Sequence, residues 1–208
     1  MGSNMISAVL FDFGNVLYTF DYGRFFRAAA SYSTLSSVQI EQVVFGGNDP
    51  VTRRYETGRM GSDEFLTLLR REARIDLPAD RLRDLFTDIY TPNDPVISLA
   101  LDLSQRIPIG LVSNTNEIHF ESFMKHTPAV SACSAVGLSY RVGAMKPADI
   151  IFQSVLDALG CAPEDCVYID DIAEYVTAAR KAGFSAIQYL PGVDLRSSLI
   201  EMGLPARE

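Results

Sequence analysis

Histidine and cysteine are scarce in this chain of 208 residues: His119 and His126 are the only imidazoles, and Cys133, Cys161 and Cys166 the only thiols. Two histidines are too few for a transition-metal cluster, and three cysteines without paired spacing lack the ligand pattern of a zinc site. Reduced, packed thiols in a cytoplasmic protein are the expectation. Positive charge is also short. Lys and Arg total 18 against 26 Asp and Glu, a formal net charge of −8. An acidic surface argues against nucleic-acid and anionic-membrane partners, which need a positive patch, although a small anion can still meet a locally positive site. No apolar run is long enough to span a bilayer, and no basic, apolar leader precedes the first strand. Met1–Asn4 is expected to stand apart from the fold. Internal repeats and low-complexity segments are absent, and no feature specifies an oligomeric state. The length, with 48% hydrophobic and 21% charged residues, suits one sizeable core with a smaller attached unit.

What is present is an alternation. Ile6-Ser7-Ala8-Val9-Leu10-Phe11 is an apolar run ending at an acid, the pattern of a buried parallel strand breaking into a loop. Similar runs lie at 108–112, 166–169 and 185–189. Helical spacing separates them, as in Ile151, Val155 and Leu159 or Phe65, Leu69 and Ala73. Strands alternating with helices predict an α/β fold, a doubly wound parallel sheet. Chemistry in such sheets gathers at the carboxyl ends of strands, where Asp12, Ser113 and Asp170 fall. Between Asp12 and Ser113 lie 100 residues, whereas one strand–crossover–strand unit needs about 30. The surplus carries no recognisable strand and reads as helices over 22–32, 38–45, 62–73 and 79–90. The predicted organisation is an α/β core over 5–17 and 94–208, with a helical cap over 18–93 covering the mouth of the site.

Four segments in order resemble the haloacid dehalogenase-like hydrolase superfamily, whose members are mostly phosphatases. They are Phe11-Asp12-Phe13-Gly14-Asn15-Val16-Leu17, Leu111-Val112-Ser113-Asn114-Thr115-Asn116, Gly143-Ala144-Met145-Lys146-Pro147 and Tyr168-Ile169-Asp170-Asp171. Singly they are weak: an Asp near a Gly is commonly a turn, Ser113 suits a helix cap, and Lys146 suits a solvated surface. Jointly they are specific. The adjacent acids Asp170 and Asp171 repel each other unless a cation is near. The resemblance implies that Asp12 attacks phosphorus and forms an aspartyl phosphate that water hydrolyses. It implies a magnesium ion on Asp12, Asp170, Asp171 and the Gly14 carbonyl, with Asp170 acting directly or through water. Ser113 and Lys146 are expected to bind the phosphoryl group, joined by backbone N–H groups from Phe13 to Asn15 and from Asn114 onward. The implied activity is a magnesium-dependent phosphatase of a small phosphorylated metabolite. The alternatives are a phosphomutase, or a catalytically impaired metabolite-binding protein of the same fold.

One departure from the pattern is informative. Most phosphatases of this superfamily carry a second Asp two residues after the nucleophile, to protonate the leaving oxygen and then activate water. Here that residue is Gly14, which has no side chain for acid–base work. Three readings are open: an ester that needs little protonation, such as a sugar 1-phosphate; an acid from the insertion (Asp21, Glu56 or Asp63) or a water; or a slow or inactive protein. Gly14-Asn15-Val16, Ser113 to Asn116 and the segment from Tyr55 to Phe65 resemble the branch containing α-D-glucose-1-phosphate phosphatases, which favours the first. Tyr175 stands where relatives often have Asn or Asp; two readings are open, that Glu174 beside it substitutes in supporting Lys146 or the metal shell, or that Tyr175 is a helix-face aromatic packed on the core. Arg141 is expected to be an exposed loop residue, and His119 a structural one.

Overall fold

All of β1 (Ala8–Phe11) is buried, because it runs through the middle of a sheet covered on both faces. The computed structural model describes residues 6–204, so Met1–Asn4 lies outside the described residues. After β1 come β2 (Tyr18–Phe20), α1 (Tyr22–Ala30), α2 (Ser37–Phe45), α3 (Val51–Glu56), α4 (Ser62–Glu72), α5 (Ala79–Thr87) and β3 (Tyr90–Pro92). The chain continues through α6 (Asp94–Ser104), β4 (Ile109–Ser113), α7 (Glu117–Ser122), α8 (Pro128–Ser131), β5 (Ala135–Leu138) and α9 (Ser139–Val142). It closes with α10 (Asp149–Leu159), β6 (Cys166–Asp170), α11 (Ala173–Lys181), β7 (Ser185–Gln188) and α12 (Leu195–Glu201).

The main sheet has the order β5-β4-β1-β6-β7 and is parallel throughout. Alternate residues serve its two faces. Val9, Phe11, Leu111 and Ile169 pack with Ala100 and Leu103 of α6 and Leu199 of α12. Ala8, Leu10, Val112 and Tyr168 pack with Ile151 and Val155 of α10 and Val176 of α11. Each fully buried aliphatic side chain contributes about 1.5–3 kcal/mol, which is why these strands read as unbroken apolar runs. The chain leaves β1 toward β4 on one side, then returns to β6 on the other. The reversal opens a crevice at the carboxyl ends of β1 and β6, the place where open α/β sheets hold ligands.

Between β2 and β3, helices α1 to α5 close around a separate apolar cluster that includes Phe25, Ile40, Phe65, Leu82 and Phe86. Their starts are locally encoded. Asp21 accepts from the Gly23 N–H to cap α1, and Ser36 with Gln39 forms a capping box on α2. Helix α4 carries Asp63 and Glu64 in its first turn and Arg70 and Arg71 in its last, matching the helix dipole.

The structure corrects the sequence expectation in this region. The segment contains strands, β2 and β3, paired antiparallel with Thr19 opposite Thr91. Each has three residues, too short for a period-two pattern, and their pairing joins distant parts of the chain. The predicted helix over 79–90 therefore stops at Thr87, with Tyr90 in β3. Short elements elsewhere also went unread, among them β5 with only four residues and α3 with six. The Asn93 side chain ties the base of the ribbon to the core, donating to the Val16 carbonyl at 2.8 Å and to the Tyr189 hydroxyl at 3.1 Å.

Candidate active site

Asp12 follows β1 directly and is 7% exposed. The loop after it is tight. The N–H groups of Leu17 and Tyr18 both donate to the Phe13 carbonyl, and the Asn15 N–H donates to the Tyr18 carbonyl at 2.7 Å. Asn15 holds φ at 55°, a left-handed conformation that Asn tolerates better than most residues. Its side chain donates to Asp171 Oδ2 at 3.1 Å, so the turn also orients an acid from the end of β6. Because the Asn15 N–H is spent inside this turn, the expected run of phosphate donors is shorter than Phe13 to Asn15.

Lys146 is 3% exposed and lies at the centre of the charges. Its Nζ is 2.8 Å from Asp12 Oδ1, 2.7 Å from Asp170 Oδ2 and 3.0 Å from the Tyr168 hydroxyl. Tyr168 in turn donates its hydroxyl to Asp170, and the Ile172 N–H donates to Asp170 Oδ1 at 2.8 Å. Asn114 sets the position of Lys146 through the backbone: its Oδ1 accepts the Lys146 N–H at 2.7 Å, and its Nδ2 donates to the Lys146 carbonyl at 3.3 Å. Asn114 Nδ2 also reaches the Tyr175 hydroxyl at 3.3 Å. The Asn114 side chain is therefore a brace for Lys146. The loop beyond it is held by buried Ser139, whose Oγ accepts the Thr115 N–H and donates to the Thr115 carbonyl, each at 2.9 Å. That bond takes the Thr115 N–H out of the donor run expected from Asn114 onward.

Burial pushes the Asp12 carboxyl up to about 7; Lys146 opposes the shift and Asp170 adds to it. Burial works against the charge of Lys146, but Asp12 and Asp170 outweigh it and the net direction is upward. Asp171 is half-buried and also shifted up, by burial first, with the Asn15 hydrogen bond opposing. Asp12, Asp170 and Asp171 each offer a carboxylate oxygen, and these atoms lie within 4.8 Å of one another. Three carboxylates around one ammonium leave excess negative charge on hard oxygen donors. That donor set fits a hard divalent cation.

Beside the Asp12 loop is a chamber of about 100 Å³, bounded by Gly14, Ser113, Tyr22, Tyr90, Glu56 and His119 among others. Ser113 is 3% exposed and ends β4 there. A wider cleft of about 810 Å³ runs between α3 and the segment 143–148, with Arg53, Glu56, Lys146 and Tyr175 on its walls.

Residues 6–183 match the haloacid dehalogenase-like hydrolase family. The chain belongs to that family. It is similar to the phosphatase MT3486 of Mycobacterium tuberculosis, 30% identical over 188 residues that cover 87% of this chain and 86% of the relative. It is similar to the D-ribitol-5-phosphate phosphatase of Bacteroides thetaiotaomicron, 23% identical over 203 residues, 94% of this chain and 97% of the relative. Among solved structures, the HAD family enzyme bt-2542 of that organism, in complex with magnesium and inorganic phosphate, shares the fold with a TM-score of 0.75. The sequences are 21% identical, with 93% of this chain and 98% of that one covered.

The remaining candidates of this haloacid dehalogenase-like hydrolase separate clearly. Asp21 is exposed and occupied as the cap of α1, with Arg27 3.1 Å away. Asp63 is exposed in the first turn of α4. Glu56 alone among the three lines the chamber. Glu174 is exposed on α11, outside the carboxylate group, in a surface groove with Pro147 and Lys181. Tyr175 stands at the site: its ring centroid is 5.0 Å from Lys146 Nζ, within cation–π range. Arg141 is exposed and pairs with Glu121 at 2.8 Å. His119 is buried on α7, bonded through Nε2 to the Phe86 carbonyl at 3.0 Å. Burial lowers its pKa to about 4, so it is a neutral packing residue at the chamber wall. Sequence reasoning missed Tyr168 and Ser139, which carry no signal in a single chain. Asn15 did carry one, as an Asn in a tight turn next to a Gly.

Proposed function

We propose that the protein is a cytoplasmic, magnesium-dependent phosphatase of small phosphorylated metabolites. The observation that carries the reading is Asp12, buried beside Lys146 at 2.8 Å and grouped with Asp170 and Asp171. The phosphatase names of the two relatives, and the magnesium and phosphate bound to the bt-2542 enzyme, support it.

In this reading a carboxylate oxygen of Asp12 attacks phosphorus and the ester P–O bond breaks, leaving an aspartyl phosphate on Asp12. Lys146 offsets charge on the nucleophile and the phosphoryl oxygens, and the Ser113 hydroxyl donates to one of those oxygens. Asp12, Asp170, Asp171 and the Gly14 carbonyl would hold magnesium, which when bound offsets the repulsion between the phosphate and these acids. Water then attacks phosphorus and frees Asp12 with release of inorganic phosphate. The helical segment 18–93 acts as a cap that closes over the phosphate and selects the rest of the substrate. The small chamber and the polar Tyr22, Tyr90 and Glu56 side chains on its wall suit a hydroxylated metabolite, a sugar or polyol phosphate, and a hexose 1-phosphate is the preferred member.

The test is phosphate release across sugar phosphates, polyol phosphates, nucleotides and aryl phosphates, with magnesium and with chelator. Asp12→Asn should abolish turnover while keeping the fold by circular dichroism. Full activity in that variant, free of wild-type protein, would exclude covalent catalysis through Asp12.

A further inference from the structure

The chamber lacks a carboxylate on residue 14 but receives one from α3. Resting on the phosphatase reading, we propose that Glu56 is the catalytic residue that gives the leaving oxygen its proton and then takes one from water.

Glu56 lines both the chamber beside Gly14 and Ser113 and the wide cleft outside it, and among the described residues no other lines both. An ester with its phosphoryl group at Asp12 and its carbon portion toward the cleft passes its bridging oxygen through that junction. Among the described residues the Glu56 carboxyl has no hydrogen-bond or ion-pair partner, whereas Asp21 is engaged with Arg27 and the Gly23 N–H. The groups facing Glu56 are the Tyr22 phenol from α1 and the Tyr90 phenol from β3; Arg53 stands beside it on α3, and Lys146 lies across the cleft. Tyr90, on the chamber wall with Glu56, interacts electrostatically with both Glu56 and Asp12.

Residue 56 is supported on both sides. The Tyr55 hydroxyl is 2.7 Å from Ser62 Oγ and accepts the Ile118 N–H at 2.9 Å, tying α3 to α7. Gly58, with φ at 69°, lies so close to α9 that a Cβ there would stand 2.2 Å from the Tyr140 carbonyl oxygen. A side chain at 58 is excluded both by the left-handed backbone and by rigid main chain, and that close approach brings Glu56 up to the core. Burial alone raises the Glu56 carboxyl to about 7, so both protonation states are accessible near neutral pH, as a shuttling group needs.

The cycle balances. As Asp12 attacks phosphorus and the ester P–O bond breaks, the Glu56 carboxylic acid transfers its proton to the departing oxygen, which leaves as an alcohol. Water then attacks the aspartyl phosphate, the Glu56 carboxylate accepts a water proton, and the P–O bond to Asp12 breaks. Glu56 ends as it began.

The experiment compares wild type, Glu56→Gln and Glu56→Asp on an alkyl phosphate and on p-nitrophenyl phosphate, with magnesium. Glu56→Gln should lose about 10²–10⁴-fold in kcat on the alkyl ester and less than about tenfold on the aryl ester, whose leaving group needs little protonation. Glu56→Asp, which keeps a carboxyl, should recover part of the alkyl activity and covers the case of a poorly folding Gln variant. Equal losses on the two esters, unchanged alkyl turnover, or an Asp variant no better than Gln would each overturn the role of Glu56 and leave the phosphatase reading standing. A wild-type enzyme that releases phosphate from neither ester overturns both.

Discussion

The ring of Phe20 fills the place into which a side chain at residue 14 would project: a Cβ on Gly14 would lie 2.8 Å from Phe20 Cε1 and 3.3 Å from Cδ1. The glycine and the aromatic ring on β2 are thus matched, and the missing acid is a feature of the ribbon as well as of the loop. Phe20 is 41% exposed, so its ring has somewhere to go. Gly14→Asp alone should cost about 1 kcal/mol, because the ring must turn out of the place it fills. Gly14→Asp with Phe20→Ala should relieve that cost. In a Glu56→Gln background the double change should also raise alkyl-phosphate turnover, by on the order of 10²-fold. Urea unfolding and kcat on an alkyl ester check both parts, and a double variant as unstable as Gly14→Asp would contradict the steric account.

Lys146 separates two buried carboxylates, so its removal leaves them facing each other. Lys146→Met should destabilise the protein by about 3–5 kcal/mol at pH 8, the cost of an uncompensated buried charge. Magnesium should restore part of that loss by binding the same acids. Unfolding in urea with magnesium and with chelator measures it; a wild-type midpoint in chelator would sink the charge argument.

Tyr168 reaches Asp170 and Lys146 from the interior of the sheet, with no access of its own to the chamber described above. Tyr168→Phe keeps the packing against Phe152 and Phe184 and removes only the hydroxyl. The expected loss is about 1.5–3 kcal/mol, as for a hydrogen bond to a charged group. Magnesium affinity or turnover should fall about 10–100-fold, the usual effect of losing a partner behind a metal ligand. Calorimetric titration with magnesium separates that outcome from a purely structural role, in which affinity would stay unchanged.

Burial raises the Glu56 carboxyl from 4.5 to about 7. Between those values the folded state holds a proton that the unfolded state has released. The stability contributed by this group is therefore complete below pH 4.5 and lost as pH rises through 7. Glu56→Gln removes the titration, so the variant should gain roughly 3 kcal/mol relative to wild type between pH 5 and pH 8. His119 runs the other way: its pKa is lowered to about 4 by burial, so its contribution is lost as pH falls. That term is common to both proteins and cancels in the difference. A stability difference independent of pH would mean that Glu56 is solvated in the fold.

The main sheet was legible because a strand buried on both faces must be apolar, and a charged or hydroxyl residue marks where it surfaces. Asp12, Ser113 and Asp170 could be assigned to strand ends on that ground. Most helices between β2 and β3 were legible from their spacing, as at Phe65 and Leu69, although the six-residue α3 was not. The ribbon of β2 and β3 was not, because three residues carry no periodicity and the pairing is between Tyr18–Phe20 and Tyr90–Pro92.

The sequence by itself determined the alternation of elements, the acidic surface, and the absence of an acid at residue 14. Those are local or compositional properties, written in which side chain follows which. Tertiary structure decided that Lys146 is buried between Asp12 and Asp170, that Tyr168 points its hydroxyl at both, and that Glu56 rather than Asp21 or Asp63 reaches the chamber. Those facts depend on strand order and on how α5 seats against α7 and α3 against α9. Contacts between residues far apart in the chain are chosen by packing, which single-chain periodicity does not encode.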